Sequence, residues 1–310
     1  MSFLQRALEL AERGRGTTHP NPVVGAVVVQ GDEVVGEGWH ERKGEPHAEV
    51  HALRAAGERA RGGTMYVTLE PCARHGSTPP CVEAVLEAGV ARVVVGALDP
   101  MQEGVARLRE AGVAVDVLDD WESRRQNEAW LTWARVGRPF VAYKAAVTLD
   151  GRMTVPGERW VSGEESRRLV HELRAAADAV AVGMGTVRAD NPQLDARGVD
   201  AARQPRRLAF GRGPLPEGSE LELRSGELGE ELRALAAEDV QSLLLEGGPT
   251  LAASFFRADL VDKLLLFVAP KLVGEGPGLL EGLPEPVRLT RLTVERVGED
   301  VLLSAYVHEP

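Results

Sequence analysis

The chain has 310 residues, 44% of them hydrophobic and 27% charged; the length predicts two domains of roughly 150 residues each, and the composition excludes disorder and collagen-like repeats. Lys plus Arg number 36 against 47 Asp plus Glu, a net charge of −11, which argues against nucleic acid or anionic lipid as a partner. Two cysteines, an N-terminus that turns charged before a signal-peptide core forms, and no apolar run longer than such short ones as 264–270 give the expectation of a cytoplasmic chain with no membrane contact.

Apolar Phe3, Leu4, Ala7, Leu8, Leu10 and Ala11 recur at helical spacing before Gly14, so a helix opens the chain. Residues 23–29 and 33–39 read as strands joined by a tight turn at Gln30-Gly31-Asp32. Helix 48–60, strand 64–69, helix 81–88, strand 92–96, helix 104–111 and strand 113–117 then alternate as βα units do, which predicts a three-layer α/β domain. A helix over 120–136 ends at Gly137-Arg138-Pro139, because proline disfavours helix in the residue before it. The domains are therefore set at 1–138 and 139–310. The second half is α/β again: strand 140–147, helix 164–177, strand 179–183, a short helix and strand 207–210. A Gly/Pro/Glu-rich loop over 211–229 follows, then helix 230–237, strand 240–245, helix 250–258, strand 263–269 and two strands within 287–307.

Five of the seven histidines and both cysteines lie at or before residue 81. His47 opens one helix, Cys72 leaves a strand in Glu70-Pro71-Cys72, and Cys81 opens the next helix in Pro79-Pro80-Cys81. One imidazole and two thiolates give zinc three protein ligands and leave the fourth tetrahedral position for water, the arrangement of a catalytic metal. Zinc lowers the pKa of that water from about 15.7 toward roughly 7 to 9. Glu49, two residues beyond His47, is the candidate to take the water's proton and deliver it to a leaving amine, in the H-x-E with P-C pattern of zinc deaminases. The bland reading makes the cysteines buried hydrophobes or a lone disulfide. A structural zinc clip in a non-enzymatic protein would need a fourth protein ligand, for which His75 is the obvious residue.

Asn21-Pro22-Val23-Val24-Gly25, Gly38-Trp39-His40, Gly44-Glu45-Pro46-His47-Ala48-Glu49 and the segment 70–81 resemble the deaminase domain of the RibD family of bifunctional riboflavin biosynthesis proteins. The eight-residue gap between the cysteines, in place of the two-residue gap of cytidine and tRNA deaminases, is the most specific feature and points to a ribotide substrate. The resemblance implies a cytidine-deaminase-like domain with one zinc per chain. It puts Asn21 and His40 around the pyrimidine, Asp99 at a strand end near the substrate, and Arg74 to Ser77 at the phosphate.

No G-x-G-x-x-G follows a strand in the second half, so the common dinucleotide fold is not indicated. Glu246-Gly247-Gly248-Pro249-Thr250 would let backbone amides approach a pyrophosphate, and fits an ordinary strand-to-helix turn equally well. Lys144-Ala145-Ala146-Val147-Thr148-Leu149-Asp150-Gly151, Trp160-Val161-Ser162-Gly163, His171-Glu172-Leu173-Arg174, Gly185-Thr186-Val187-Arg188-Ala189-Asp190 and the 246–250 turn are similar, in order, to the reductase domain of the same family. The resemblance implies a dihydrofolate-reductase-like domain that uses NADPH. Lys144, Thr186, Asp190 and Glu246 would surround the ribose, with Arg174 and Arg197 on its phosphate and Asp190 or Lys144 as proton donor. Trp160, Ser162, Gly183, Gly247, Gly248, Thr250 and Arg212 would line the cofactor, whose 2′-phosphate would meet Arg206, Arg207 or Arg212.

The implied activity is bifunctional. Zinc-dependent deamination of 2,5-diamino-6-ribosylamino-4(3H)-pyrimidinone 5′-phosphate is followed by NADPH-dependent reduction of the ribosyl side chain to ribityl, in a homodimer or homotetramer. A single-activity ribotide deaminase with a non-catalytic C-terminal domain is the alternative. Three positions depart from the family pattern: Met101-Gln102-Glu103-Gly104 is shorter, Ser77 replaces a frequent cation, and Gly211 replaces an acidic residue.

Overall fold

Ser2 caps the first helix, α1 (Phe3–Glu12), by accepting the Gln5 N–H at 3.1 Å. The computed structural model that shows this describes residues 2–76 and 79–310; Ser77 lies outside the described residues. Its contacts divide the chain into two units, one running to Arg135 together with Pro310 and the other Val136–Glu309.

In the first unit β1 (Gly25–Gln30) and β2 (Glu33–Trp39) form an antiparallel hairpin. Its turn places Gly31 at φ +62°, the left-handed conformation such two-residue turns require. The strands β3 (Thr64–Leu69), β4 (Arg92–Ala97) and β5 (Ala114–Val117) continue the sheet in the order β2-β1-β3-β4-β5, with β3, β4 and β5 parallel. Connecting them are α2 (Ala48–Ala56), prolonged by a 3-10 turn over Gly57–Ala60, α3 (Cys81–Glu87) and α4 (Gly104–Glu110). Val28, Met65, Val67, Val93 and Val95 form one core with Ala52, Val85 and Leu108, while Val27 and Val29 bury against Ala7 and Leu10. Alternate strand residues thus feed two helical layers, the three-layer plan expected from the βα alternation.

The helix expected over 120–136 is two helices, α5 (Trp121–Gln126) and α6 (Glu128–Val136). Buried Asn127 sits at the break with φ −116°. Its Oδ1 accepts from Val23 N–H at 3.0 Å and its Nδ2 donates to Val23 carbonyl at 2.9 Å. A side chain that satisfies a distant backbone pair competes with helical continuation.

The second unit is built on one eight-stranded sheet. Its strands are β6 (Phe140–Thr148), β7 (Ala179–Gly183), β8 (Arg206–Phe210), β9 (Glu222–Arg224), β10 (Ser242–Leu245), β11 (Lys263–Ala269), β12 (Thr290–Val297) and β13 (Asp300–Tyr306). Their order is β12-β13-β11-β6-β10-β7-β8-β9, parallel from β11 to β9 and antiparallel at β13 and β12. The segment 211–229, expected as loop, contributes the three-residue β9. Helices α7 (Glu164–Ala176), α8 (Met184–Asp190), α9 (Leu228–Ala237) and α10 (Pro249–Arg257) complete it. Tyr143, Leu243 and Leu245 pack with Leu232 and Phe255, and Val180, Val182 and Phe267 pack with Val170 and Leu302, so both sheet faces are covered. The described residues contain no helix long and apolar enough to cross a membrane.

Candidate metal centre and second polar cluster

His47 is the N-cap of α2 and makes no side-chain cap bond, so its imidazole is free of the helix end. Cys81 begins α3, and Cys72 lies in the turn that leaves β3. The structure brings these three together: Nδ1 of His47 stands 3.5 Å from Cys72 Sγ and 3.3 Å from Cys81 Sγ, and all three ligand atoms lie within 4.8 Å of one another. Ligands held at zinc distances on tetrahedral positions stand roughly 3.5 Å apart, so the donor set fits the ion in chemistry and in span. Both cysteines are free, which removes the disulfide reading. The hydrogen bond from the Cys81 thiol, outweighing burial, holds the Cys72 thiol well below its usual range, with His47 and the Cys81 N–H at 3.2 Å adding to the effect. That arrangement in turn pushes the Cys81 thiol up. His75 is 73% exposed and turns to Glu83 at 3.5 Å, so the described residues supply three ligands and not the fourth that a structural clip needs.

Glu49, in the first turn of α2, is 3% exposed, and its Oε2 has no hydrogen-bond partner among the described residues. A buried carboxylate oxygen left unpaired is costly, and burial pushes the Glu49 carboxyl up. A group kept this way beside three metal ligands suits proton transfer better than it suits packing.

Around the cluster, Asn21 Nδ2 lies 3.2 Å from His40 Nε2 and the His40 ring meets His47 edge-on at 5.0 Å. Burial, with His47 nearby, holds His40 below its usual range and therefore neutral. Buried Asp99 follows β4, its Oδ1 accepting the Met101 N–H at 2.9 Å, and burial raises its carboxyl. Arg74 is exposed on the 72–81 loop. Sequence reasoning gave no role to Glu70 or Gln102, which tie this loop to the Asp99 loop; a carboxylate directly before Pro71-Cys72 was the available signal.

In the second unit β6 and β10 are paired in register, Leu245 opposite Tyr143, which puts Glu246 beside Lys144. Lys144 Nζ reaches Glu246 Oε2 at 3.3 Å, and Arg174 of α7 forks onto the same carboxylate at 2.6 and 3.1 Å. Burial alone would raise Glu246; the Lys144 charge and the Arg174 hydrogen bonds outweigh it and hold the carboxyl at about 2. Arg174 Nη1 also donates to the Asp195 carbonyl at 3.2 Å. The expected phosphate grip of Arg174 thus meets a guanidinium already forked onto a carboxylate, while exposed Arg197 pairs with Asp195 at 2.8 Å. Thr186 and exposed Asp190 lie four residues apart on α8, hence on one helix face.

Gly183 and Gly248 are the N-caps of α8 and α10, at the C-terminal ends of neighbouring parallel strands, where such sheets bind ligands. Neither first turn carries an acidic residue, so no carboxylate competes there for a pyrophosphate. A Cβ on Gly248 would meet nothing within 4 Å, whereas one on Gly247 would come within 2.9 Å of Leu251. A side chain at Gly247 would therefore have to displace Leu251. Thr250 lies in the same first turn, and Trp160, 49% exposed, and Ser162 precede α7. Arg206 and Arg207 open β8, at the opposite end of the sheet from Gly183, and pair with Glu222, Glu238 and Glu220. That corrects their assignment to a cofactor 2′-phosphate. Arg212 follows the proper end, its carbonyl accepting from Arg188 at 2.7 Å.

Residues 1–97 match the cytidine and deoxycytidylate deaminase zinc-binding region, and residues 139–303 match the RibD C-terminal domain. The chain is 38% identical to the riboflavin biosynthesis protein RibD of Aquifex aeolicus, with 97% of each chain covered. With that of Mycobacterium tuberculosis it shares 41% identity over 96% of this chain and 94% of the relative. Among solved structures it is similar to Acinetobacter baumannii RibD, with a TM-score of 0.88, 34% identity, and 98% of this chain and 97% of that one covered. A Thermotoga maritima diaminohydroxyphosphoribosylaminopyrimidine deaminase/5-amino-6-(5-phosphoribosylamino)uracil reductase gives a TM-score of 0.84 at the same identity and coverage.

Proposed function

Since the chain belongs to the RibD family and is a bifunctional deaminase and reductase of riboflavin biosynthesis, we propose that residues 1–138 deaminate the pyrimidine ribotide and residues 139–310 reduce its ribosyl group with NADPH. The single-activity alternative loses its ground, because the C-terminal half matches the RibD C-terminal domain across 139–303.

His47, Cys72 and Cys81 would hold the zinc, which would supply the Lewis acidity that activates water. Asn21 and neutral His40 orient the pyrimidine, Asp99 bounds it, and Arg74, with Ser77, meets the phosphate. Glu49 takes the proton from the attacking oxygen and gives it to the exocyclic amine; a C–O bond forms, the C–N bond breaks and ammonia leaves. The observation that carries this reading is the buried, unpartnered Glu49 oxygen beside the three-ligand cluster.

In the reductase, the ribosylamine opens to present an electrophilic C1′, to which bound NADPH would supply a hydride. Glu246, held ionised, is no proton donor at neutral pH; Lys144, its partner at 3.3 Å, delivers the proton while Glu246, itself forked by Arg174, fixes the ammonium in place. Asp190 and Thr186 face the ribose and Arg197 its phosphate. Trp160, Ser162, Gly183, Gly248 and Thr250 border the cofactor, and Arg212 meets its 2′-phosphate. The same reading carries a homo-oligomer in the cytoplasm. Ammonia release from the ribotide, and oxidation of NADPH against NADH on the deaminated product, test both halves; equal use of NADH would remove Arg212 from its role.

A further inference from the structure

Four contacts join residues 70–73 to residues 99–105, and they run in both directions. Glu70, 8% exposed, stands between the end of β3 and Cys72. Its Oε2 accepts the Asp99 N–H at 3.2 Å and its Oε1 accepts the Val105 N–H at 2.8 Å. From the other side Gln102 Oε1 accepts the Ala73 N–H at 3.2 Å, next to Cys72. Gly104 lies so close that a Cβ there would collide with the Pro71 carbonyl. Gln102 and Gly104 lie within 101–104, where the chain departs from the family pattern.

The same carboxylate also serves α4. The N-cap of that helix, Glu103, makes no side-chain cap bond, so the Val105 N–H, one of the donors a helix start leaves unsatisfied, is met from outside by Glu70. A carboxylate used only as a cap needs one such bond. The second bond, to Asp99, has no purpose in capping, and it reaches the residue that bounds the substrate. We propose that Glu70 is a positioning residue of the deaminase site, locking the loop that carries Asp99 onto the turn that carries Cys72, with Gln102 as the return tie. The inference rests on the deaminase reading of the first unit. It places the metal ligand and the substrate contact on one rigid body, where a misplacement of about 1 Å can cost 10²-fold in rate.

Glu70→Gln in the full-length, zinc-loaded chain tests this. An amide offers one acceptor oxygen and turns an NH2 toward the other N–H, so one of the two ties breaks. Deaminase kcat should fall about 10-fold or more with the reductase rate unchanged, and zinc release to a chelator, read without substrate, should quicken by about 10-fold. Gln102→Ala, which touches no buried charge, should raise deaminase KM through the freed Ala73-Arg74 segment, and Gln102→Glu, which keeps the acceptor oxygen, should restore part of the loss. A Glu70→Gln chain that melts at a lower temperature yet keeps wild-type kcat, KM and zinc release at 25 °C is only missing a helix cap, and overturns the proposal. So does a Glu70→Gln chain that does not fold while Gln102→Ala behaves as wild type. Failure of the wild-type chain to release ammonia would instead sink the deaminase reading, and the zinc-release comparison would still decide the positioning role.

Discussion

At Glu49 the cost of burying a carboxyl with one oxygen unpaired is borne beside three soft or borderline metal ligands. Glu49→Gln is therefore expected to keep one zinc per chain, because no ligand is touched, and to lose ammonia release by about 10²–10⁴-fold. Metal analysis beside an ammonia assay checks this; rapid ammonia release by the zinc-loaded variant would remove Glu49 from the proton path. Arg74 belongs to the same scale. The phosphate it is proposed to meet does not react, so Arg74→Ala should raise deaminase KM with little change in kcat. Because Arg74 is exposed, the loss should shrink at high salt. An unaltered KM at low salt would reject the contact. The ligand set was legible in one dimension because residue type and spacing carry most of that chemistry. The fork of Arg174 onto Glu246 was not, since a sequence shows an arginine's charge but not which carboxylate the fold brings to it.

Element boundaries show the same division. β3, β7 and β11 fall where alternation and turn residues put them, because strand pattern and flanking glycines are local signals. The break between α5 and α6 depends on Asn127 reaching Val23, a tertiary bond with no local trace. Sequence places Arg206 and Arg207 near a strand end but does not say which end, and the parallel order, which sets them opposite the Gly183 end, makes that distinction decisive. The entry and exit of the second unit meet on one element boundary. Asp262, just before β11, forks with Arg138 at 2.7 and 2.8 Å and accepts the Val141 N–H at 2.8 Å, while His308 lies 3.2 Å from it and 3.0 Å from Asp259. Asp262→Asn would leave the Arg138 charge without its partner, and the unit should lose about 3–5 kcal/mol in denaturant unfolding. The Asp262 hydrogen bond raises the pKa of His308 above 6.5, against some desolvation. A raised folded-state value means the stabilisation is full below pH 6.5 and is lost as pH rises through the folded-state pKa. His308→Gln should therefore flatten the fall in stability above pH 6.5; a fall as steep as wild type would assign it to another group.

On the scale of the whole chain, each unit carries its own polar cluster on its own sheet, and the two reactions should be separable by mutation. Lys144→Met and Asp190→Ala are expected to abolish or cut reduction while ammonia release stays near wild type, as Glu49→Gln is expected to do in reverse. Equal loss of both activities in a well-folded Asp190→Ala chain would mean a shared site. Fold class in both halves was legible from βα alternation and from the motifs, since these are repeated many times along the chain. The cofactor was less so, because its border is made of glycines and helix starts whose meaning depends on what faces them, as Gly247 against Leu251 shows.

The claim of one chain with two consecutive activities is tested most directly by incubating the wild-type, zinc-loaded protein with the diaminopyrimidine ribotide, with and without NADPH, and weighing the products by mass spectrometry. The expected product is the ribosyl uracil, with an oxygen in place of the amine, when NADPH is absent, and the ribityl uracil, heavier by two hydrogens, when it is present. Deaminated product that NADPH leaves unreduced, or substrate returned unchanged under both conditions, would contradict the claim.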